Sequence, residues 1–312
     1  MSQEIEGKLE KIPLVRNLMH LLKRIKLPWL EGLSFYELLE MYILGIAEGA
    51  LSYRAGSIAF SFFMSLFPFL LFILNLIPNI PIEGFQQDFL KFVEESVPPN
   101  TYEAIASIIN DILNNSYKGL LSSGFLLSIF LQANGLNAIL GGFENSKHVI
   151  AKRGFLRQYV VALALSLLMS FLLILTVAII VVFEVFIRST NIPGFIEDNI
   201  SLIVVGRYIF VMLMILVTTS MLFKFGTKRT VKRSFISIGS VFTTVLIIIS
   251  SYFFGIWVVK FSKYNELYGS IGTLLIMMFY IWINCMILLL GFELNATINR
   301  LRRQSLFNLD KR

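Results

Sequence analysis

Six stretches of this sequence are too long and too apolar to suit a water-soluble chain. A helix needs roughly 20 mostly apolar residues to cross a hydrocarbon core about 30 Å thick. The segments at about 55–79, 119–141, 159–183, 202–223, 235–259 and 270–292 each meet that length. Backbone N–H and C=O groups in lipid must find partners within their own segment, so these runs read as helices. The strands of a membrane barrel would be about half as long and would alternate in polarity. Composition agrees: 15% of the residues are charged and 56% hydrophobic, against roughly 25% charged in a soluble domain. The expected fold class is all-α, a polytopic membrane helical bundle with six transmembrane helices.

The charges between the runs are unevenly placed. Residues 1–54 hold seven Lys/Arg, 142–158 four, 224–234 five, and the tail from 293 five, which makes 21 on one side. Residues 80–118 hold two, 184–201 one and 260–269 two, which makes five on the other, and 80–118 also carries six acids. Cytoplasmic loops are the ones enriched in Lys and Arg, so both termini are expected in the cytoplasm. The net charge of +7 is explained by this asymmetry, and no nucleic-acid partner is expected. Arg207, inside the fourth run, can snorkel outward to the membrane surface.

The flanks carry amphipathic patterns. Residues 12–26 place Leu14, Leu18, Leu21, Leu22 and Ile25 among basic residues, as a helix resting on an anionic membrane surface or on its own protein does. Ser34 with Glu37 fits a capping box that starts a surface helix. Residues 101–113 put Ala104, Ile105, Ile108, Ile109 and Ile112 on one face, which predicts a helix lying over the opposite end. The chain divides into a basic amphipathic segment at 1–33, a six-span domain at 34–300 and a basic tail at 301–312. No tandem repeat and no inverted symmetry is visible.

Catalytic chemistry finds little to work with. The chain has a single cysteine, Cys285, and two histidines, His20 and His148. Metal-dependent hydrolysis needs clustered carboxylates or histidines. No enzyme, metal site or cofactor is expected.

Polar residues inside spans usually face other helices or a cavity. Ser57, Ser61, Ser65, Pro68, Asn75 and Asn79 share a stripe of the first run; Ser123, Asn134, Asn137 and Gly141 share one in the second; Thr273, Tyr280, Asn284, Gly291 and Asn295 share one in the sixth. Ser61, Ser65, Asn75, Asn134, Asn137, Tyr280 and Asn284 are the candidate lining of a polar pocket. The alternative is close packing through small residues, since interhelical hydrogen bonds average about 0.6 kcal/mol and need no further purpose. Glu293 sits where the last run ends. It reads either as the first hydrated residue after the helix or as a partner of Arg54, with Arg favoured for its planar fork. Lys224 and Arg157 are alternative partners.

Two segments resemble the YihY/BrkB family of bacterial inner-membrane proteins. Residues 53–74 (YRAGSIAFSFFMSLFPFLLFIL) look like its first-span signature, and 264–296 (YNELYGSIGTLLIMMFYIWINCMILLLGFELNA) like its last, with Tyr-Gly before the span and Gly-x-Glu-x-Asn after it. The chain departs from the family pattern at Tyr280-Ile281-Trp282, where Trp-x-Tyr is usual. The resemblance implies a multi-pass protein of the bacterial inner membrane and a loose link to envelope or lipid transport. The family's older label, ribonuclease BN, is regarded as mistaken. The expected function is a transporter or translocator of lipid or another envelope component, with membrane lipids and a small-molecule or lipid substrate as partners. A non-catalytic scaffold or envelope-integrity factor is the alternative, and a ribonuclease the remote one. The sequence sets neither the substrate nor the oligomeric state.

Overall fold

The computed structural model describes residues 50–76, 118–146, 149, 152–189, 195–228, 234–260 and 270–309, with a few isolated positions. The expected flanking helices at 12–26, 34–37 and 101–113 lie outside the described residues, apart from single helical positions at Tyr36 and Ala106.

Six helices account for almost all of the described chain: α1 (Ala50–Leu76), α2 (Lys118–Glu144), α3 (Phe155–Ser189), α4 (Phe195–Phe225), α5 (Ile238–Lys260) and α6 (Ser270–Leu309). No strand occurs among the described residues. Four of the helices contain a stretch long and apolar enough to cross a membrane: Phe155–Ile180, Val205–Phe225, Ile238–Val258 and Leu274–Arg300.

The last helix corrects one expectation. α6 does not stop near residue 292; it continues as a helix to Leu309. No Gly or Pro interrupts residues 293–309, and Leu294, Ala296 and Ile298 keep burying side chains beyond the apolar run. Glu293 is therefore inside a helix and does not follow one.

Each helix packs on the next in sequence, and α6 packs back on α1, so the six close into a ring. The N-terminal ends of α1, α3 and α5 and the C-terminal parts of α2, α4 and α6 share one end. It carries the basic connecting segments and is called the basic end below. The buried core gathers there: Leu51, Ala55 and Ile58 of α1, Leu140 and Phe143 of α2, Phe223 of α4, and Leu289 and Phe292 of α6.

Small residues bring the backbones together. A Cβ on Gly135 would lie 3.0 Å from Ser65 Oγ and 3.5 Å from the Ser61 carbonyl, so α1 and α2 touch almost backbone to backbone. At the α5–α6 crossing, a Cβ on Gly291 would collide with Thr243 Oγ1, and one on Gly239 with the Gly291 carbonyl. Close approach through small residues is the usual basis of helix association in lipid, where apolar side chains gain little from leaving one another's company. Hydroxyls join α4 to α5: Ser220 Oγ donates to Ser240 Oγ at 3.0 Å, and Thr219 Oγ1 lies 3.3 Å from Thr244 Oγ1.

Candidate functional site

The basic end is closed by an aromatic floor with charges beside it. Phe143, Phe223 and Phe292 come from α2, α4 and α6 and are each 0–1% exposed. Phe143 stacks on Phe292 with centroids 4.2 Å apart, and Phe223 meets both edge-on at 5.7 and 5.9 Å. Gly226 is required for this packing, because a Cβ there would lie 2.7 Å from the Phe143 ring.

Each of these phenylalanines is followed by an ionisable residue. Glu293 follows Phe292. Arg54 Nη2, from α1, donates to Glu293 Oε1 at 2.7 Å, and the two side chains are 17% and 13% exposed. Ser146 Oγ, just beyond α2, donates to Glu293 Oε2 at 2.6 Å. The guanidinium therefore engages one carboxylate oxygen and not two, because the serine holds the other. Arg54 Nε remains buried without a partner.

Glu144 follows Phe143 and is 3% exposed. The Arg153 backbone N–H donates to Glu144 Oε2 at 3.2 Å, and its guanidinium lies 3.8 Å from Oε1. The same guanidinium donates to the carbonyls of Gly226 at 2.9 Å and Phe225 at 2.8 Å. These carbonyls belong to the end of α4, where helical C=O groups lack intrahelical partners and carry partial negative charge. Burial lowers the Arg153 pKa from its ordinary value, Glu144 opposes that shift, and Arg157 adds to it. An arginine so placed still carries its charge.

Lys224 follows Phe223 and has no carboxylate opposite it among the described residues. Its Nζ lies 5.2 Å from the Phe235 ring centroid and 5.8 Å from that of Phe225. Arg157 is exposed.

The polar residues of the spans are engaged mostly in pairs. Ser65 Oγ donates to its own helix at Phe62 O, 2.7 Å away. Asn137 Oδ1 accepts from Gln158 Nε2 of α3 at 3.0 Å. Tyr280 and Ser251 of α5 share a hydrogen bond of 2.6 Å. Asn284 Nδ2 donates to Tyr280 O at 2.8 Å, while its Oδ1 is buried with no partner. Ser61 and Asn134 are half-buried. The side chain of Asn75 lies outside the described residues. No hydrogen bond among the described residues joins the amides of α2 to Asn284.

Glu144, Arg153 and the α4–α5 hydroxyls were not singled out from sequence. A signal existed for the first. Gly142-Phe143-Glu144 ends α2 as Gly291-Phe292-Glu293 closes the apolar run of α6. Three residues are too few to register as a repeat until the two phenylalanines are seen stacked.

Comparison with known proteins gives a consistent picture. Over 255 residues the chain is 28% identical to the Bacillus subtilis (strain 168) protein named "Putative ribonuclease-like protein YfkH", covering 80% of this chain and 90% of that one. It is 20% identical over 269 residues to a UPF0761 membrane protein of Aggregatibacter aphrophilus (strain NJ8700), covering 85% of this chain and 92% of that one. No solved structure matches. The pattern of the family described as Virulence factor BrkB matches residues 43–311. The chain is a membrane protein of the BrkB family.

Proposed function

We propose that this chain spans a bacterial inner membrane six times, with both termini in the cytoplasm, and that it translocates a lipid or another envelope component. The 21-to-5 split of basic residues supports the orientation. The observation that carries the transport reading is the closure of the ring at one end by ion pairs. Removing two charges from water costs several kcal/mol per ion, so a buried pair is a poor device for stability alone. It suits an element that opens, because water restores the lost hydration when the charges part. On this reading the aromatic floor and the pairs at Glu293 and Glu144 form the cytoplasmic gate. Asn284 lies nine residues from Glu293, roughly 14 Å along the helix axis at 1.5 Å per residue, and so near the middle of the bilayer. Its unpaired amide oxygen offers a passing polar group an acceptor.

A scaffold is the second reading, favoured by the pairwise use of the polar stripes at Ser65, Asn137 and Tyr280. The name of the B. subtilis relative raises a third, nuclease activity. Among the described residues no group of three His, Cys, Asp or Glu side chains is placed to hold a metal.

The test is reconstitution in liposomes carrying a fluorescent phospholipid, with dithionite added outside. Bleaching should exceed the outer-leaflet pool, and Glu293→Gln should bleach faster still. Folded protein that bleaches no more than protein-free liposomes, in both forms, would favour the scaffold. Orientation is read separately in a Cys285→Ser background. An impermeant maleimide applied to spheroplasts should label Asn100→Cys and spare Lys228→Cys.

A further inference from the structure

The three positions that follow the aromatic floor are not alike, and the odd one faces a cavity. Glu144 and Glu293 each meet a cation supplied by the protein. Lys224, in the same register after Phe223, meets aromatic rings and no carboxylate among the described residues. Beside it is a cavity of about 100 Å³, whose lining includes Ser234, Ser237, Asn295 and Asn299 together with Phe235 and Ile298. No carboxylate lines it among the described residues. Asn295 is only 7% exposed and borders the cavity. Its amide can donate to a polar group held in that space.

The cavity also opens at the start of α5. Ser237 and Ser240 cap that helix reciprocally: Ser240 N–H donates to Ser237 Oγ at 3.2 Å, and Ser237 N–H donates to Ser240 Oγ at 3.0 Å. The partial positive charge of the helix terminus thus points at the same space as Lys224. The volume is enough for a few waters or one tetrahedral oxyanion.

We infer that the cavity between the end of α4, the start of α5 and α6 binds a phosphate group. The ligand takes the place that carboxylates fill at the other two positions. Lys224 supplies the charge, and Asn295 and Asn299 donate amide hydrogens. A phospholipid headgroup and a free phosphate share this chemistry. The assignment stands on Lys224, Asn295 and the cavity, and does not depend on the translocator reading.

The experiment is thermal unfolding of the full chain in a zwitterionic detergent, at fixed ionic strength. The probes are inorganic phosphate, with chloride as control, and short-chain phosphatidylglycerol, with phosphatidylcholine as control. A bound ligand well above its Kd should raise Tm by at least about 2 °C. Lys224→Arg should keep the rise, and Lys224→Glu and Asn299→Leu should lose it. Asn299 is half-buried on a continuous helix, so its variant carries the test if Lys224→Glu does not fold. A response to phosphatidylglycerol alone identifies a headgroup site, and a response to inorganic phosphate identifies a soluble-anion site. No response to either probe in the wild type, or an equal response in Lys224→Glu and Asn299→Leu, overturns the inference.

Discussion

The two halves of the bundle are built from the same six helices by different rules. In the basic half, Phe143, Phe223 and Phe292 are sealed from their surroundings, and Gly226, Gly239 and Gly291 sit against neighbouring atoms. In the opposite half, Phe171 and Phe253 are each 63% exposed, and a Cβ added to Gly206 or Gly255 would meet nothing within 4 Å. The charge pairs follow the same division. Apolar surface is no liability in lipid, so the far half can leave its side chains facing tails. In the basic half the helices are held by backbone contact, ring stacking and ion pairs. The contrast teaches that, among the described residues, the stacked phenylalanines and the ion pairs gather at one end.

The largest difference between the halves should come from glycine. Gly291→Val would drive a side chain into Thr243 and the Gly239 carbonyl, at a cost of about 3 kcal/mol or more. We expect little folded protein by size-exclusion profile. Gly255→Ala, in open space, should raise Tm slightly, since Ala gains roughly 0.5–1 kcal/mol over Gly inside a helix. Equal tolerance at both sites would erase the distinction.

Phenylalanine should report the same asymmetry at smaller size. Phe143→Ala removes the ring that touches both partners and should cost about 3–5 kcal/mol. Phe253→Ala should stay within about 0.5 kcal/mol, as expected for a position with few contacts. Denaturation midpoints measured in one detergent would show the gap, and a comparable loss at Phe253 would mean that the far half is packed against something.

The amides sharpen the comparison at the lower end of the scale. Asn137→Leu strands Gln158 and should cost about 0.6 kcal/mol, up to ~2. Asn284→Leu removes a buried acceptor that has no partner, so stability should hold or rise while lipid translocation falls. Loss of stability at Asn284 with unchanged translocation would make it a packing residue.

Much of this was legible in the sequence because membrane helices declare themselves by length. The six runs and the uneven loop charges needed no tertiary information. The extent of α6 was hidden because its polar continuation looks like a tail once hydropathy falls. Only the neighbours that bury Leu294 and Ile298 reveal that it stays helical. Arg54 and Glu293 could be placed at one end from the runs alone, but their meeting depends on α6 returning to α1, which is a property of the closed ring. The hydroxyls at Thr219, Ser220, Ser240 and Thr244 read as ordinary span residues until the facing helix is known. The cavity beside Lys224 is formed by three segments that no spacing connects.

The central claim is that the basic end is clamped by charges acting on one another. A double-mutant cycle on Arg54→Gln and Glu293→Gln, read as unfolding free energy in detergent, tests it most directly. Each single change should destabilise the protein, because it leaves a poorly hydrated charge without its partner. The double mutant should lose clearly less than the sum, with a coupling of about 1–3 kcal/mol. Additivity within about 0.5 kcal/mol would show that the two charges do not hold the end closed, and would contradict the account.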